Sequence, residues 1–226
     1  MEAKDVHNAI LLIPGLGGSV LYAKIKNKNG TETEELIWPK LVNADFTLHR
    51  YMNCYIDKNT LRAVPYDDNV RIYATDKDYG LYGIDFLIHP IEQLSFYPQF
   101  HYLIDMFEKC GYQRGVSLWG YPYDFFQEIS QPCIMLPLRD RIIEAFNSCG
   151  QKKISIISHS QGGLLFKTFA ALYPDDVSKY VRRWITIGTP FQGAAVINAA
   201  MMFGYNFGFP CSLLLPRTMQ IIQVLL

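Results

Sequence analysis

The residues most suited to chemistry are Ser158-His159-Ser160-Gln161-Gly162-Gly163. They follow a short apolar, β-branched stretch, Lys153–Ile157, and precede a run with helical character, Gly162–Tyr173. A serine between strand and helix is the setting of a nucleophile elbow, a tight turn that lifts the hydroxyl above the sheet edge. Such a turn tolerates only small neighbours, because the serine backbone is strained. Gly162 meets that demand on one side, and Ser158, small though not glycine, stands on the other. The first amides of the following helix favour a developing negative charge. The competing reading is that Ser160 only caps a helix, since serine is a preferred N-cap.

A second cluster, Pro14-Gly15-Leu16-Gly17-Gly18-Ser19, closes an early apolar run, Ala9–Ile13. Acyl transfer through a tetrahedral intermediate needs two N–H groups aimed at the oxyanion. In folds with a serine elbow one comes from the residue after the nucleophile, here Gln161, and the other from a loop after an early strand. Leu16 is the candidate in that loop, where glycines let the backbone approach a ligand closely. A glycine-rich turn with no partner is the alternative.

These residues need a scaffold, and the 226-residue chain can supply a sizeable core. Half of its residues are hydrophobic and 14% aromatic, a composition of folded rather than disordered chains. Lys+Arg and Asp+Glu number 21 each, so no one-signed field exists to hold nucleic acid. Neutral or apolar partners fit better. Five scattered cysteines without a CxxC pair argue against a metal site, and no cofactor signature is present. Ala9–Ile13 is too short for a signal-peptide core, and no 18-residue apolar run offers a membrane span. A cytoplasmic protein is expected on these grounds.

Strand signals alternate with helical ones. Ala9–Ile13, Val116–Trp119, Lys153–Ile157 and Trp184–Ile187 read as strands; Phe100–Phe107, Pro137–Ser148 and Gly162–Tyr173 read as helices. Such alternation implies an α/β fold with a mostly parallel sheet. Lys24–Glu35 reads as a surface loop or hairpin. From about residue 36 to 96 the pattern is irregular and aromatic, apart from a short strand signal at Val70–Ala74. This stretch is expected to be a cap or lid excursion with little regular structure.

Four segments in order, Ile13–Ser19, Gly120-Tyr-Pro-Tyr-Asp-Phe125, Ile157–Gly163 and Ile187-Gly-Thr-Pro-Phe-Gln-Gly193, resemble motifs of the lecithin:cholesterol acyltransferase family. Tyr180–Pro190 and Phe100–Asp105 look similar as well, most of all to the plant phospholipase branch. The resemblance implies an α/β-hydrolase core with a cap and a serine acyl-enzyme. It further implies a phospholipid acyl donor, a sterol or other alcohol as possible acceptor, and a peripheral membrane surface as the workplace. Ser160 matches the family nucleophile, and Leu16 and Gln161 match its oxyanion positions. Trp38, in Leu36-Ile-Trp-Pro39, matches a lipid-facing region, although an aromatic beside proline also serves as a local packing anchor. Asp124 fits the Pro-Tyr-Asp motif, with a structural role, because the triad acid follows the nucleophile in this fold.

After Ser160 the acids are Asp175 and Asp176 only, and no histidine follows. A helix of about twelve residues carries the chain roughly 18 Å away from the serine, so these two belong at the opposite edge of the sheet. His159 is expected to point away from the serine hydroxyl, and His7, His49, His89 and His101 come earlier. The triad Asp and His are therefore not present. The chain reads as a C-terminally truncated member, its sheet incomplete at that end. The enzyme reading, a phospholipase or O-acyltransferase, stands beside a second one. In that second reading the chain is a catalytically dead remnant that at most binds lipid or a partner.

Overall fold

The structure, a computed structural model, describes residues 7–40, 50–51, 53–91 and 94–195. These divide into two compact units. One takes the described parts of Met1–Ser19, Ala74–Phe125 and Ile129–Phe191; the other takes those of Val20–Tyr73, Phe126–Glu128 and Gln192–Leu226.

The first unit is built on a sheet that, among the described residues, has four strands: β1 (Ile10–Ile13), β9 (Leu118–Gly120), β10 (Ile154–His159) and β11 (Val181–Ile187). They run in the order β11-β10-β1-β9, and every pair is parallel. The α/β expectation holds, with an α/β-hydrolase-type parallel sheet. β1 reads as an unbroken apolar run because both its faces are covered. Leu11 and Ile13 join Trp119, Ile154 and Ile156 on one face, under helices α3 (Pro132–Ser148) and α4 (Gln161–Leu172). Ile10 and Leu12 join Leu118 and Ile157 on the other, with Ile104 of helix α2 (His101–Lys109). Helix α5 (Pro174–Tyr180) leads into β11, an outer strand of the sheet among the described residues, whose Ile185 and Ile187 are exposed.

Several boundaries move. Helix α3 begins at Pro132 rather than Pro137. Proline at the first helical position loses no intrahelical bond, and the amphipathic face of Ile134, Met135, Leu138 and Ile142 carries the helix past Pro137. β11 starts three residues before Trp184, and α5 lies in a stretch read without structure.

The second unit contains the hairpin of β2 (Leu21–Lys26) and β3 (Glu32–Trp38), joined by β6 (Val70–Ala74) in one sheet. Gly30, at φ 81°, makes the tight Asn-Gly turn between the hairpin strands. Strands β4 (Cys54–Ile56) and β5 (Ala63–Pro65) form a second hairpin. Gln127 serves β5 as a substitute strand: its amide accepts from Ala63 N–H at 3.1 Å and donates to Ala63 C=O at 2.9 Å. Trp38 ends β3 and is only 4% exposed.

The stretch from 36 to 96 is thus more regular than its sequence suggests. Its first part falls in the second unit and residues 74–96 in the first. There helix α1 (Tyr82–Asp85) leads to the antiparallel pair β7 (Phe86–Ile91) and β8 (Leu94–Pro98). The order comes from hairpin pairing of strands too short to show a clear local periodicity.

Just before α1 the backbone turns left-handed at Asp78 (φ 53°), Tyr79 (φ 57°) and Gly80 (φ 81°). A Cβ on Gly80 would lie 2.3 Å from the Gly120 carbonyl oxygen at the end of β9. Backbone meets backbone there, so neither partner can yield by a rotamer change. Gly80→Ala should lower stability by about 2–4 kcal/mol, combining overpacking with the positive φ. The denaturant midpoint measures it, and a shift of less than 1 kcal/mol would show that this contact relaxes freely.

Candidate active site

β10 is driven by Ile154, Ile156 and Ile157, all buried, and it delivers the chain to Ser160 at the edge of the sheet. Ser160 has φ 51° and ψ −124°, and α4 begins at the next residue. That backbone lies outside the basins open to L-residues and costs on the order of 1–3 kcal/mol. The surroundings hold it there. Ser160 N–H donates to the Ile187 carbonyl at 2.9 Å, continuing the β10–β11 ladder, and Gly163 N–H donates to the Ser160 carbonyl at 3.0 Å. The Ser160 side chain makes no capping bond, and its φ is not that of an ordinary N-cap. The hydroxyl is left half-buried and uncommitted among the described residues.

Three glycines let neighbouring segments close on this turn. A Cβ on Gly15 would lie 2.8 Å from Ser160 Cβ. One on Gly162 would lie 2.4 Å from the Pro14 carbonyl oxygen, and one on Gly163 would lie 2.0 Å from Thr189 Oγ1. The Pro14–Ser19 turn therefore rests directly against the serine. Gly18 N–H closes that turn on the Gly15 carbonyl at 3.0 Å, with Leu16 at its apex and half-buried. Gln161 is the first residue of α4, so its N–H has no intrahelical acceptor. Ser160, Leu16 and Gln161 all belong to the first unit, on adjoining turns at one end of β1 and β10.

Ser158, in the place where such elbows usually carry glycine, is fully buried. Its hydroxyl accepts from Trp184 Nε1 at 2.9 Å and lies 3.4 Å from the Ile185 carbonyl. The extra oxygen is thus used to hold β11 beside β10. Tyr123 is the residue that sequence reading missed. Its N–H donates to Ser19 Oγ at 3.0 Å, and its hydroxyl reaches Gln161 Oε1 at 3.0 Å and the Pro14 carbonyl at 3.3 Å. The Tyr-Pro-Tyr spacing carried no signal for this, since the partners lie 38 and 109 residues away.

The remaining candidates lie elsewhere. Asp176 pairs with Arg139, and Asp175 shares the first turn of α5. Among the other histidines, His7 stacks on Tyr112 at 4.7 Å, and His101 Nδ1 lies 2.9 Å from Asp85 Oδ1. His159 is exposed and reaches back toward Gly15; partial desolvation lowers its pKa, which favours the neutral ring. Asp124 is half-buried. His89 lies in β7, and His49 falls outside the described residues, as does the apolar run Met219–Leu226. No described histidine hydrogen-bonds Ser160.

Residues 35–225 match the lecithin:cholesterol acyltransferase family. The chain belongs to that family. It is 37% identical over 203 residues to the phospholipase A(1) LCAT3 of Arabidopsis thaliana, covering 88% of this chain and 45% of that protein. It is 34% identical to the lecithin-cholesterol acyltransferase-like 4 of the same plant, over 88% of this chain and 37% of the relative. The human lysosomal phospholipase A and acyltransferase is 27% identical over 90% of this chain and 52% of its own length. The chain thus spans about half the length of these relatives, or less.

The strain at Ser160 can be tested apart from any chemistry. Glycine adopts this φ without penalty, whereas alanine retains the clash. Ser160→Gly should therefore be more stable than Ser160→Ala by about 1 kcal/mol, after allowing for the greater unfolded-state entropy of glycine. Paired denaturant melts give the difference, and an alanine variant as stable as the glycine one would show an unstrained turn.

Proposed function

We propose that this chain carries the nucleophile and oxyanion half of a serine acyl hydrolase or O-acyltransferase acting on phospholipid acyl esters. The observation that carries the reading is Ser160 itself: a strained, uncapped serine between β10 and α4, with the Gly15 turn packed against its Cβ. Family membership and relatives named for phospholipase A and acyltransferase activity support it.

In this reading Ser160 Oγ attacks the ester carbonyl carbon as a base takes its proton. The carbonyl oxygen gains the charge and is met by the N–H groups of Leu16 and Gln161. Collapse of the tetrahedral intermediate expels the lysophospholipid alkoxide, which recovers the proton and leaves the acyl group on Ser160. Water then releases a fatty acid, or a lipid alcohol such as a sterol takes the acyl group. A neutral histidine oriented by a carboxylate is the usual base for such a serine, and the proposal assigns that pair to residues outside those described. The work is done at a membrane surface from the aqueous side. Among the described residues no helix is long and apolar enough to cross a membrane.

Ser160→Ala in the full-length protein should abolish fatty-acid release from phosphatidylcholine vesicles and covalent labelling by a fluorophosphonate probe. Removing a nucleophile that acts with its base typically costs several powers of ten in kcat. A folded alanine variant that keeps even a tenth of the wild-type rate would end the proposal.

A further inference from the structure

We propose that Tyr123 is a positioning residue for the oxyanion hole, its hydroxyl locking the Gln161 turn and the Pro14–Leu16 turn into one spacing. The inference rests on the assignment of Ser160, Leu16 and Gln161 just given. An oxyanion hole built from two amides works only if both stay aimed at one point, because the gain comes from donors that need no reorganisation during reaction. Here the two amides come from turns about 145 residues apart in the chain, at the ends of different strands. Close packing at Gly15 and Gly162 brings these turns together, but van der Waals contact gives no directional restraint. Tyr123 supplies one.

The phenol oxygen lies 3.0 Å from Gln161 Oε1 and 3.3 Å from the Pro14 carbonyl oxygen, on the peptide just before Gly15-Leu16. One hydroxyl proton cannot serve two acceptors fully. A half-turn of the Gln161 amide resolves this: its NH2 then donates to the phenol oxygen, while the hydroxyl donates to Pro14. Either orientation joins the same three groups. The ring is itself fixed, being 2% exposed, stacked on Tyr121 at 6.3 Å, and held by its own N–H on Ser19 Oγ at 3.0 Å. Ser19 follows, and Pro14 precedes, the Gly15–Gly18 turn that carries Leu16, so Tyr123 holds the chain on both sides of that turn. Burial drives the phenol pKa far above its usual range, so the hydroxyl keeps its proton at any working pH.

Tyr123→Phe in the full-length protein removes the oxygen and leaves the stacked ring. The expected result is a fall in kcat of roughly 10-fold with KM unchanged, less than the 10²–10³ typical of deleting a donor outright. Fluorophosphonate labelling should reach the same stoichiometry as wild type at a rate reduced by a similar factor. Stoichiometry counts folded sites and rate reports the hole, so a merely structural tyrosine would change the first and spare the second. Gln161→Leu, which cuts the network from the half-buried side, should give a comparable loss, and the double variant should be no worse than either single one. If Tyr123→Phe fails to fold, Gln161→Leu alone decides. Unchanged labelling rates, or losses that multiply in the double variant, would overturn the inference. Ser160→Ala run alongside separates this from failure of the serine assignment: an active alanine variant sinks the latter whatever Tyr123 does.

Discussion

The site depends on how closely two turns can approach. The end of β1 and the strand-to-helix turn after β10 meet through backbone, with glycine at 15 and 162 on the contact surface. A single methyl group at either place would sit within 2.4–2.8 Å of its neighbour, well inside van der Waals contact. A third glycine, Gly163, lets Thr189 at the end of β11 close from the far side. Because β1 and β10 are adjacent and parallel in register, Ile13 opposite Ser158, both turns emerge at the same end of the sheet. Ligand sites in open parallel sheets form at the carboxyl ends of the strands for this reason.

That packing makes the backbone of Ser160 tenable. An isolated residue would leave φ 51°, ψ −124° at once. The Ile187 carbonyl, the first turn of α4 and the Gly15 contact over-determine it instead. Stability of the surrounding sheet is thus converted into a fixed direction for one hydroxyl. Trp184 contributes from the next strand through Ser158, so a position that favours glycine in other elbows here carries a buried hydrogen bond. Gly80 and Gly120 repeat the theme beside β9, where the left-handed turn at Asp78–Gly80 lies flat on the strand end that leads to Tyr123.

The two units obtain order by different means. In the first, alternating faces of β1, β9 and β10 bury against helices that carry their own amphipathic pattern. In the second, hairpins hold short strands, and a buried glutamine completes one of them with a side chain. A glutamine amide can mimic a peptide group because it offers one donor and one acceptor at similar spacing. Beyond the hairpins, β6 and Gln127 come from far along the chain, and each strand alone is too short to announce itself.

Much of this was legible in the residues alone. The apolar run Ile10–Ile13, the strand–Ser160–helix order and the glycine-rich turn at 14–18 reveal themselves because strand burial, elbow geometry and close approach each demand particular residue types at adjacent positions. Family membership was legible for the same reason, through four short motifs in fixed order. What lay beyond reach had its cause elsewhere in the chain. The use of Ser158 and the pairing of Gln127 with Ala63 follow from partners far along the sequence, while the hairpin strands between 54 and 98 are each too short to announce themselves. Tyr123 is the clearest case, since nothing about a tyrosine in Tyr-Pro-Tyr says that its oxygen will meet Pro14 and Gln161. Local demands are written in local residue types, whereas a hydrogen bond across 109 residues exists only once the sheet has brought its ends together.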